Sequence, residues 1–577
     1  MQKNMTTGSD ILADELYNFG VRVAFVFTGG AISAIIDSVS RRGIKIIPYD
    51  HELDASYAAE GYIRATSKPT VVLVTSGPGA TNTITGVIGS WLDSIPVIYI
   101  YGQVKSFEKT NFELCLQNGF QETNIIKTTS HFVKYIKAID HCSQITSAVR
   151  EMFESILKGR PGPAILDVTM DAQTEKIEQD KIHYDYWNFS KSLSMGISKK
   201  KQMSQNKDFD FILSKIIKSA NPVILVGGGA QWLPKGLLDK IIRKLKIITI
   251  STYPAINAIN YNNKFYFGMI GPFGHPIANK ALIDASDIFI FGARIPQRAF
   301  PILSEQTKQK LYSSNKYVIT LEPSEFVNHK IGPIKKIING NIYEFLNYIN
   351  KKALITNPNH IKNSIKSNSL PNNIFQPIKS QSDQALSIKK TYSVSDLLDS
   401  LNNHLPKNSN IFVDTGQNAV ALALGLSRIN GERLFSSWSN SPMGFSLPAA
   451  LGASIGDNKK KSVCIIGDGG IRTALSSLPN LRKLKGKVKL ILWDNQGYRC
   501  IVDHIEKMLS GRRNAVTVES GIPYFPIEKV LKSCDLNVVS SKNTLDDDMK
   551  IFFNDASLDV LIVPVDPSIR MIANKVI

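Results

Sequence analysis

Two short polar segments in the last quarter of the chain follow apolar runs and carry oxygen-bearing side chains. Gly467-Asp468-Gly469 follows the run 463–466, and Asp494-Asn495-Gln496-Gly497 follows the run 488–493. The 27 residues from Asp468 to Asn495 suit a strand–helix–strand unit, which would bring both segments to the carboxyl edge of one parallel sheet. Carboxylate, amide and carbonyl oxygens are the ligands that Mg²⁺ prefers, and glycines let backbone N–H groups approach phosphates. Two unrelated turns are the alternative interpretation.

The first third of the chain contains an acidic residue and a glycine-rich loop that could complete such a site. Glu52 lies between the apolar run 44–47 and an alanine-rich helical pattern over 53–65. A carboxylate in such a place is costly unless it has a partner, although it could also simply complement the dipole of the helix. The segment 75–82 reads Thr-Ser-Gly-Pro-Gly-Ala-Thr-Asn, a tight turn into a helix that allows the close approach of a ligand.

Short apolar runs alternate with helical patterns along the whole chain, which predicts an α/β fold built on parallel sheets. Polar segments at 172–209 and 351–390 are predicted to be linkers. They separate three predicted doubly wound domains, at 1–171, 210–350 and 391–577. The first and third blocks begin with similar patterns, which suggests two similar domains on either side of a third.

The composition is that of a globular chain. The 577 residues are 43% hydrophobic and 20% charged, which excludes a mainly disordered or fibrous protein. We find no apolar run long enough to span a membrane, and the first ten residues lack the apolar core of a signal peptide. The five cysteines form no C-x-x-C pair, so a cytoplasmic location is expected. The net charge of +19 comes from dispersed basic residues, which argues against a dedicated nucleic-acid function.

Taken together and in order, these motifs resemble the thiamine diphosphate (ThDP) enzyme family, most closely the large, catalytic subunits of acetolactate synthase. The resemblance covers nearly the whole chain. It implies a pyrimidine-binding domain, a Rossmann-like central domain and a diphosphate-binding domain. It also implies that ThDP bridges the first domain of one chain and the third domain of another, so a homodimer or homotetramer is expected. Supporting segments are His51-Glu52, Gly102-Gln103-Val104, Phe120-Gln121-Glu122-Thr123, Gly159-Arg160-Pro161-Gly162-Pro163, Met443-Gly444-Phe445 and Glu519-Ser520-Gly521.

The resemblance implies roles for individual residues. Glu52 matches the glutamate that hydrogen-bonds the aminopyrimidine ring of ThDP, and Phe120 and Gln121 match residues beside the reacting carbon. Asp468, Asn495 and the carbonyl of Gly497 match the Mg²⁺ ligands. Residues that match other cofactor contacts are Gly30, Ala31, Pro78, Asn82, Gln417, Asn418, Ser441, Met443, Gly469 and Gly470. Asn418 replaces a usual histidine, and Ser441 replaces a usual glycine.

Departures from the family pattern cluster around the second substrate and a flavin. Arg298 matches an arginine that meets the carboxylate of the second substrate, but Pro296-Gln297 replace the acidic pair that precedes it in the synthases. Ile270 replaces a histidine, and His504 stands near the position of a tryptophan that shapes the acceptor pocket. A structural FAD is a further expectation, alongside plain turn or surface roles for the same positions. Its candidate contacts are Gly227, Gly228, Arg294 and Glu322.

The expected reaction is decarboxylation of pyruvate or another 2-oxo acid, followed by carboligation of the hydroxyethyl unit to a second carbonyl. Two alternatives are acyl transfer to a keto-sugar or other acceptor and simple 2-oxo acid decarboxylation. Pyruvate decarboxylases use adjacent histidines, and none of the nine histidines here is adjacent to another, which favours carboligation. A non-enzymatic basic binding protein is a further alternative, which the intact thiamine motifs argue against. The sequence names neither the acceptor nor a regulatory subunit.

Overall fold

The computed structural model describes residues 5–178, 188–195, 202–295, 299–326, 331–352, 375–377, 390–457, 459–573 and 575–576. The chain divides into two compact units. The first consists of Met1–Ile197, Ser439–Ser462 and Thr473–Val488, and the second of Ser198–Trp438, Val463–Arg472 and Lys489–Ile577. Among the helices of the described residues, none is both long and apolar enough to cross a membrane.

The N-terminal domain is built on a six-stranded parallel sheet. Its strands are β1 (Met5–Thr7), β2 (Val23–Val26), β3 (Lys45–Pro48), β4 (Val71–Val74), β5 (Ile98–Gln103), β6 (Tyr135–Ile139), β7 (Ala164–Thr169) and β8 (Lys176–Glu178). Its helices are α1 (Gly8–Asn18), α2 (Ser33–Arg41), α3 (Glu52–Thr66), α4 (Pro78–Thr81), α5 (Ile84–Asp93), α6 (Ile125–Thr129), α7 (Ile145–Leu157), α8 (Met170–Thr174) and α9 (Phe189–Met195). The sheet order is β3-β2-β4-β5-β7-β6, and β1 and β8 form a separate antiparallel pair.

The central domain has the strand order of a dinucleotide-binding fold. Its strands are β9 (Pro222–Val226), β10 (Ile248–Ser251), β11 (Tyr266–Met269), β12 (Asp287–Phe291), β13 (Ile302–Leu303), β14 (Asn315–Thr320) and β15 (Ile334–Asn339). Its helices are α10 (Gln202–Lys218), α11 (Leu237–Leu245), α12 (Pro276–Asp284), α13 (Glu305–Ser313) and α14 (Ile342–Lys351). The sheet order β11-β10-β9-β12-β14-β15 is 3-2-1-4-5-6 in chain order.

Both faces of this central sheet are buried, which explains the continuous apolar runs of its strands. On β9, Ile224 and Val226 pack into one hydrophobic cluster, while Val223 and Leu225 pack into another. Successive side chains of a strand point to opposite faces, so each run supplies two cores at once.

The C-terminal domain repeats the topology of the N-terminal one. Its strands are β16 (Phe375–Pro377), β17 (Asn410–Val413), β18 (Arg433–Phe435), β19 (Ser462–Gly467), β20 (Val488–Asp494), β21 (Val538–Ser540), β22 (Val560–Pro564), β23 (Ile569–Met571) and β24 (Lys575–Val576). Its helices are α15 (Val394–His404), α16 (Gln417–Gly425), α17 (Ser446–Gly456), α18 (Asp468–Thr473), α19 (Leu478–Lys483), α20 (Arg499–Met508), α21 (Ile527–Ser533) and α22 (Leu545–Asn554). The sheet order β18-β17-β19-β20-β22-β21 is 2-1-3-4-6-5 in chain order, as in the N-terminal sheet.

The α/β prediction is confirmed, with a sheet flanked by helices in each of three domains. The described residues of the predicted linker 172–209 contain the end of α8, strand β8, helix α9 and the start of α10. Strand β8 is polar because it lies at the edge of a two-stranded sheet, where Lys176–Glu178 pairs with β1. Most of the predicted linker 351–390 lies outside the described residues. Strand β16, which lies within this segment, pairs with β23. The short strand β13 of the central domain pairs with β24.

Candidate functional site

Glu52 begins helix α3 at the carboxyl edge of the N-terminal sheet, and its side chain is buried. The helix is capped by His51, whose ring Nδ1 accepts a hydrogen bond from the N–H of Leu53. Asn82 donates its amide hydrogen to Glu52 Oε2 at 2.9 Å. The carboxylate is 4% exposed, so this amide offsets part of the cost of its burial. The structure therefore joins two residues that the sequence placed in separate motifs.

The glycine loop approaches Glu52 from β4. Gly77 has φ of +58°, and a side chain there would come within 2.1 Å of the carbonyl oxygen of Gln121. A side chain at Gly79 would come 2.9 Å from Thr75 and 3.7 Å from Glu52 Oε1. Both positions therefore require glycine for space, and Gly77 also requires it for its backbone conformation. Pro78 begins the short helix α4 that leads to Asn82.

The loops after β2 and β5 meet the same edge of the sheet. A Cβ on Gly102 would lie 2.1 Å from the carbonyl oxygen of Ala31, whereas Gly30 faces open space. Phe120 is 83% exposed, and the exposed Gln121 has φ of +60°. Gln121 thus lies against Gly77 of the glycine loop, and Ala31 lies against Gly102 at the end of β5.

A buried ion triad anchors the helix that carries Glu52. Arg64 donates to Glu60 Oε1 at 2.9 and 2.7 Å and to Asp93 Oδ2 at 2.7 Å. All three side chains are at most 3% exposed. Glu60 and Arg64 lie one helical turn apart on α3, but the contribution of Asp93 on α5 appears only in the fold.

Three oxygen atoms converge between the ends of β19 and β20. Asn495 Oδ1 lies 3.3 Å from Asp468 Oδ1 and 3.2 Å from the carbonyl oxygen of Gly497. An octahedral Mg²⁺ with ligands at about 2.1 Å would separate adjacent oxygens by about 3.0 Å. The N–H of Gly497 donates to Asp468 Oδ2 at 2.7 Å, which directs Oδ1 of that carboxylate toward the other two oxygens.

The electrostatics at this edge favour a bound cation. Burial, and then the neighbouring Asp494, raise the pKa of Asp468 to about 7. Burial also raises the pKa of Asp494. Within the described residues, no group of three or more His, Cys, Asp and Glu side chains is arranged to hold a metal ion, so a metal ion here would need amide and carbonyl oxygens as well.

The end of β17 supplies donors beside these oxygens. Gly416, with φ of +129°, precedes the first turn of α16, and the buried Nδ2 of Asn418 has no hydrogen-bond partner among the described residues. A side chain at Gly470 would lie 2.3 Å from Asp414 Oδ2, so its glycine brings α18 against β17. The amide of Gln417, in contrast, binds protein groups, donating to Asp503 and to the carbonyl of Ile569.

Comparison with known protein families decides which class of chemistry these edges serve. Residues 6–128 match the thiamine pyrophosphate enzyme N-terminal TPP binding domain, residues 209–349 the central domain and residues 414–563 the C-terminal TPP binding domain. The chain belongs to the thiamine pyrophosphate enzymes. It is therefore a ThDP-dependent enzyme of the transferase type.

Curated relatives extend over nearly the whole chain at low identity. The acetolactate synthase large subunit of Lactococcus lactis is 26% identical, covering 98% of this chain and 94% of its own length. The probable acetolactate synthase large subunit of Methanococcus aeolicus is 27% identical over 97% of this chain and 92% of its own. The chloroplastic acetolactate synthase 1 of Nicotiana tabacum is 28% identical over 88% of this chain and 73% of its own.

The residues of this thiamine pyrophosphate enzyme fit its cofactor. The unpartnered Nδ2 of Asn418 and the amino end of α16 suit a phosphate oxygen, and the three converging oxygens suit Mg²⁺. Ser441 has φ of +54°, the conformation for which glycine is favoured, and Met443 is half-buried on the segment before α17. Gly469 is buried in α18.

The candidate flavin residues lie at strand ends of the central sheet. The N–H groups of Gly227 and Gly229 donate to the carbonyls of Phe291 and Gly292, both at 2.9 Å, so two of the three glycine donors in the loop bind the segment at the end of β12. Gly228 lies in the same turn, and Arg294 and Glu322 follow β12 and β14. Arg298 lies outside the described residues.

Proposed function

We propose that this enzyme uses ThDP and Mg²⁺ to decarboxylate pyruvate, or another 2-oxo acid, and to join the remaining two-carbon unit to a second carbonyl compound. The buried Glu52 carboxylate, held by Asn82 at the sheet edge, is the observation that carries the proposal. Relatives named as acetolactate synthase large subunits support pyruvate as both donor and acceptor. Two pyruvates then yield 2-acetolactate and CO₂ with no net transfer of electrons.

The residues at the two sheet edges have different proposed roles. ThDP, when bound, supplies the nucleophilic carbon and the electron sink that decarboxylation needs. Glu52 holds and releases a proton at Oε1 or Oε2 next to the aminopyrimidine, and Asn82 orients it. Asp468, Asn495 and the Gly497 carbonyl hold Mg²⁺, and Asn418 donates to the diphosphate. Phe120 and Gln121 line the space for substrate.

Glu52→Gln tests the assignment. It keeps an acceptor for Asn82 but removes the proton, so turnover of pyruvate should fall by about 10²–10⁴-fold while ThDP affinity changes little. Glu60→Gln is the matched control, because it also removes a buried carboxylate from α3 but leaves Arg64 paired with Asp93. Near-normal turnover of the Glu52 variant would refute the assignment. Acetaldehyde as the main product from pyruvate would indicate a simple decarboxylase.

A second candidate is acyl transfer to a keto-sugar or another acceptor. The replacement of the acidic pair by Pro296-Gln297, beside the predicted carboxylate-binding Arg298, favours this alternative. Product analysis with pyruvate alone and then with added keto-sugars distinguishes the two reactions.

A homodimer or homotetramer is part of the proposal. The loop between β5 and α6 exposes Phe107, Leu114, Leu116 and Phe120 by 75–96% of their surfaces. Polar groups hold its base, because Glu122 accepts from the N–H of Thr110 at 2.7 Å. An ordered loop with apolar residues at its tip suits burial against a second copy. Light scattering of the purified chain should give at least twice the monomer mass.

The name "large subunit" of the relatives supports a search for a smaller regulatory partner.

A structural FAD in the central domain also stays a proposal. Because Gly227 and Gly229 donate within the protein, a flavin would depend on Gly228, Arg294 and Glu322. Purified protein should show a flavin absorption band or gain thermal stability with FAD. Colourless protein whose melting temperature is indifferent to FAD would place it among flavin-free relatives.

A further inference from the structure

We infer that Gln417 is a positioning residue that sets which end of the Asn495 amide faces the cation; the inference rests on the Mg²⁺ site proposed above. Asn495 Nδ2 donates to Gln417 Oε1 at 3.0 Å. Gln417 Nε2 in turn donates to Asp503 Oδ2 at 3.0 Å and to the carbonyl of Ile569 at 3.1 Å. The side chains of Gln417, Asn495 and Asp503 are at most 7% exposed, so little solvent competes for these bonds.

The hydrogen bonds that run from Asn495 through Gln417 to Asp503 and Ile569 are called the relay below. The two acceptors at its end, Asp503 and Ile569, fix which way both amides face. A backbone carbonyl and an ionised carboxylate only accept hydrogen bonds, so the amide nitrogen of Gln417 must face Ile569 and Asp503. Its oxygen then faces Asn495, which must present a nitrogen in return. The remaining atom, Asn495 Oδ1, is left facing Asp468 and Gly497, where a cation needs an oxygen.

The opposite amide orientation is less favourable. With Asn495 turned over, its nitrogen would lie 3.3 Å from Asp468 Oδ1 and 3.2 Å from the Gly497 carbonyl, but its oxygen would lie 3.0 Å from Gln417 Oε1. Gln417 would then have to turn as well, and its oxygen would face the two acceptors that its nitrogen now binds. Turning both amides over would separate the facing oxygens of Asn495, Asp468 and Gly497, but it would break both hydrogen bonds of the Gln417 amide and place a nitrogen where a cation needs an oxygen.

Asp503 is itself fixed, which makes it a firm end for the relay. The N–H of Met571 donates to its Oδ2 at 3.1 Å, and Arg570 Nε lies 3.7 Å from its Oδ1. Both residues belong to strand β23. The cation site therefore depends on a strand about 75 residues beyond Asn495 in the chain.

A double-mutant cycle on the full chain tests the relay through Mn²⁺ binding, measured by loss of the free-ion EPR signal at saturating ThDP. Gln417→Ala should weaken Mn²⁺ binding about 10–100-fold, the usual effect of losing a group that orients a metal ligand. In an Asn495→Asp background either end of the side chain is an oxygen, so Gln417→Ala should then weaken binding by less than about threefold. Gln417→Met, which preserves side-chain length, provides a second variant if alanine impairs folding.

The outcomes separate the relay from the metal site itself. A tenfold or greater loss that appears only with Asn495 present supports the relay. Equal losses in both backgrounds, or no loss in either, overturn it. Asp468→Ala tests the metal site independently: undiminished Mn²⁺ binding in that variant would refute the proposed site, whereas abolished binding leaves the site standing whatever the Gln417 variants do.

Discussion

Asp167, in the middle of β7, offers a measurable link between burial and pH. Its side chain is 4% exposed and accepts from Gln103 Nε2 at 3.3 and 3.1 Å. Burial raises its pKa from 3.8 to about 6, with Asp140 and Glu122 adding to the shift and Gln103 and Lys109 opposing it. Asp167→Asn removes this titration while keeping the size of the side chain.

The sign follows from proton binding. Between about pH 4 and pH 6 the unfolded chain has lost the proton of Asp167 while the folded chain retains it, so rising pH lowers the stability of the wild type. Above about pH 7 both states are largely ionised and the cost is nearly constant. A difference of roughly two pKa units corresponds to about 3 kcal/mol. The unfolded carboxyl is already partly ionised at pH 4, so the stability of Asp167→Asn relative to wild type should rise by about 2 kcal/mol from pH 4 to pH 7.

Hydrogen exchange of the amides in 98–103 and 164–169 provides the assay, because a chain of several domains does not unfold in one step. Exchange is measured at several pH values, corrected for the chemical exchange rate. The quantity compared is the change with pH of the stability difference between Asp167→Asn and wild type. A fixed cost of the new amide nitrogen facing Gln103 is the same at every pH and therefore cancels. The exposed Asp399→Asn is the control and should show no such trend. A difference that stays constant from pH 4 to pH 7 would refute the reasoning.

Two further substitutions probe the scaffold around Glu52. Arg64→Ala leaves two buried carboxylates without their cation and should lower the stability of the first unit by about 3–5 kcal/mol, measured by hydrogen exchange of the amides in 52–66. Arg64→Lys, which keeps the charge but not the planar fork, should recover only part of this, and full recovery would show that geometry is unimportant. Gly77→Ala should displace the loop at Gln121 and lower turnover, with faster amide exchange over 118–123, because the new methyl meets the Gln121 carbonyl. Gly43→Ala is the control, because Gly43 has φ of +91° but open space around it, so its alanine variant introduces backbone strain without a steric contact. Equal effects of the two variants would exclude the contact with Gln121 as the cause.

Local sequence determined the elements and the chemistry at their ends. Apolar runs of four to seven residues produced parallel strands because they bury both faces, and polar residues after them came to the carboxyl edges because parallel strands share a direction. Asp468 and Asn495 could therefore be paired from their spacing alone, and the structure brings their oxygens to 3.3 Å. The polar segment 172–209 also contains strand β8, because an edge strand with one neighbour needs no apolar face.

Only the tertiary structure decided which atoms serve which partner. The family resemblance counts Gln417 among the cofactor contacts, and only the structure shows that its amide binds Asp503 and Ile569, which are 86 and 152 residues away. Gly470 is likewise matched to a cofactor contact, and the oxygen nearest to its missing side chain belongs to Asp414, just after strand β17. Hydrogen bonds and close contacts act over a few ångströms between residues that the chain separates by tens, so periodicity and spacing, which report on neighbours along the chain, cannot reveal them.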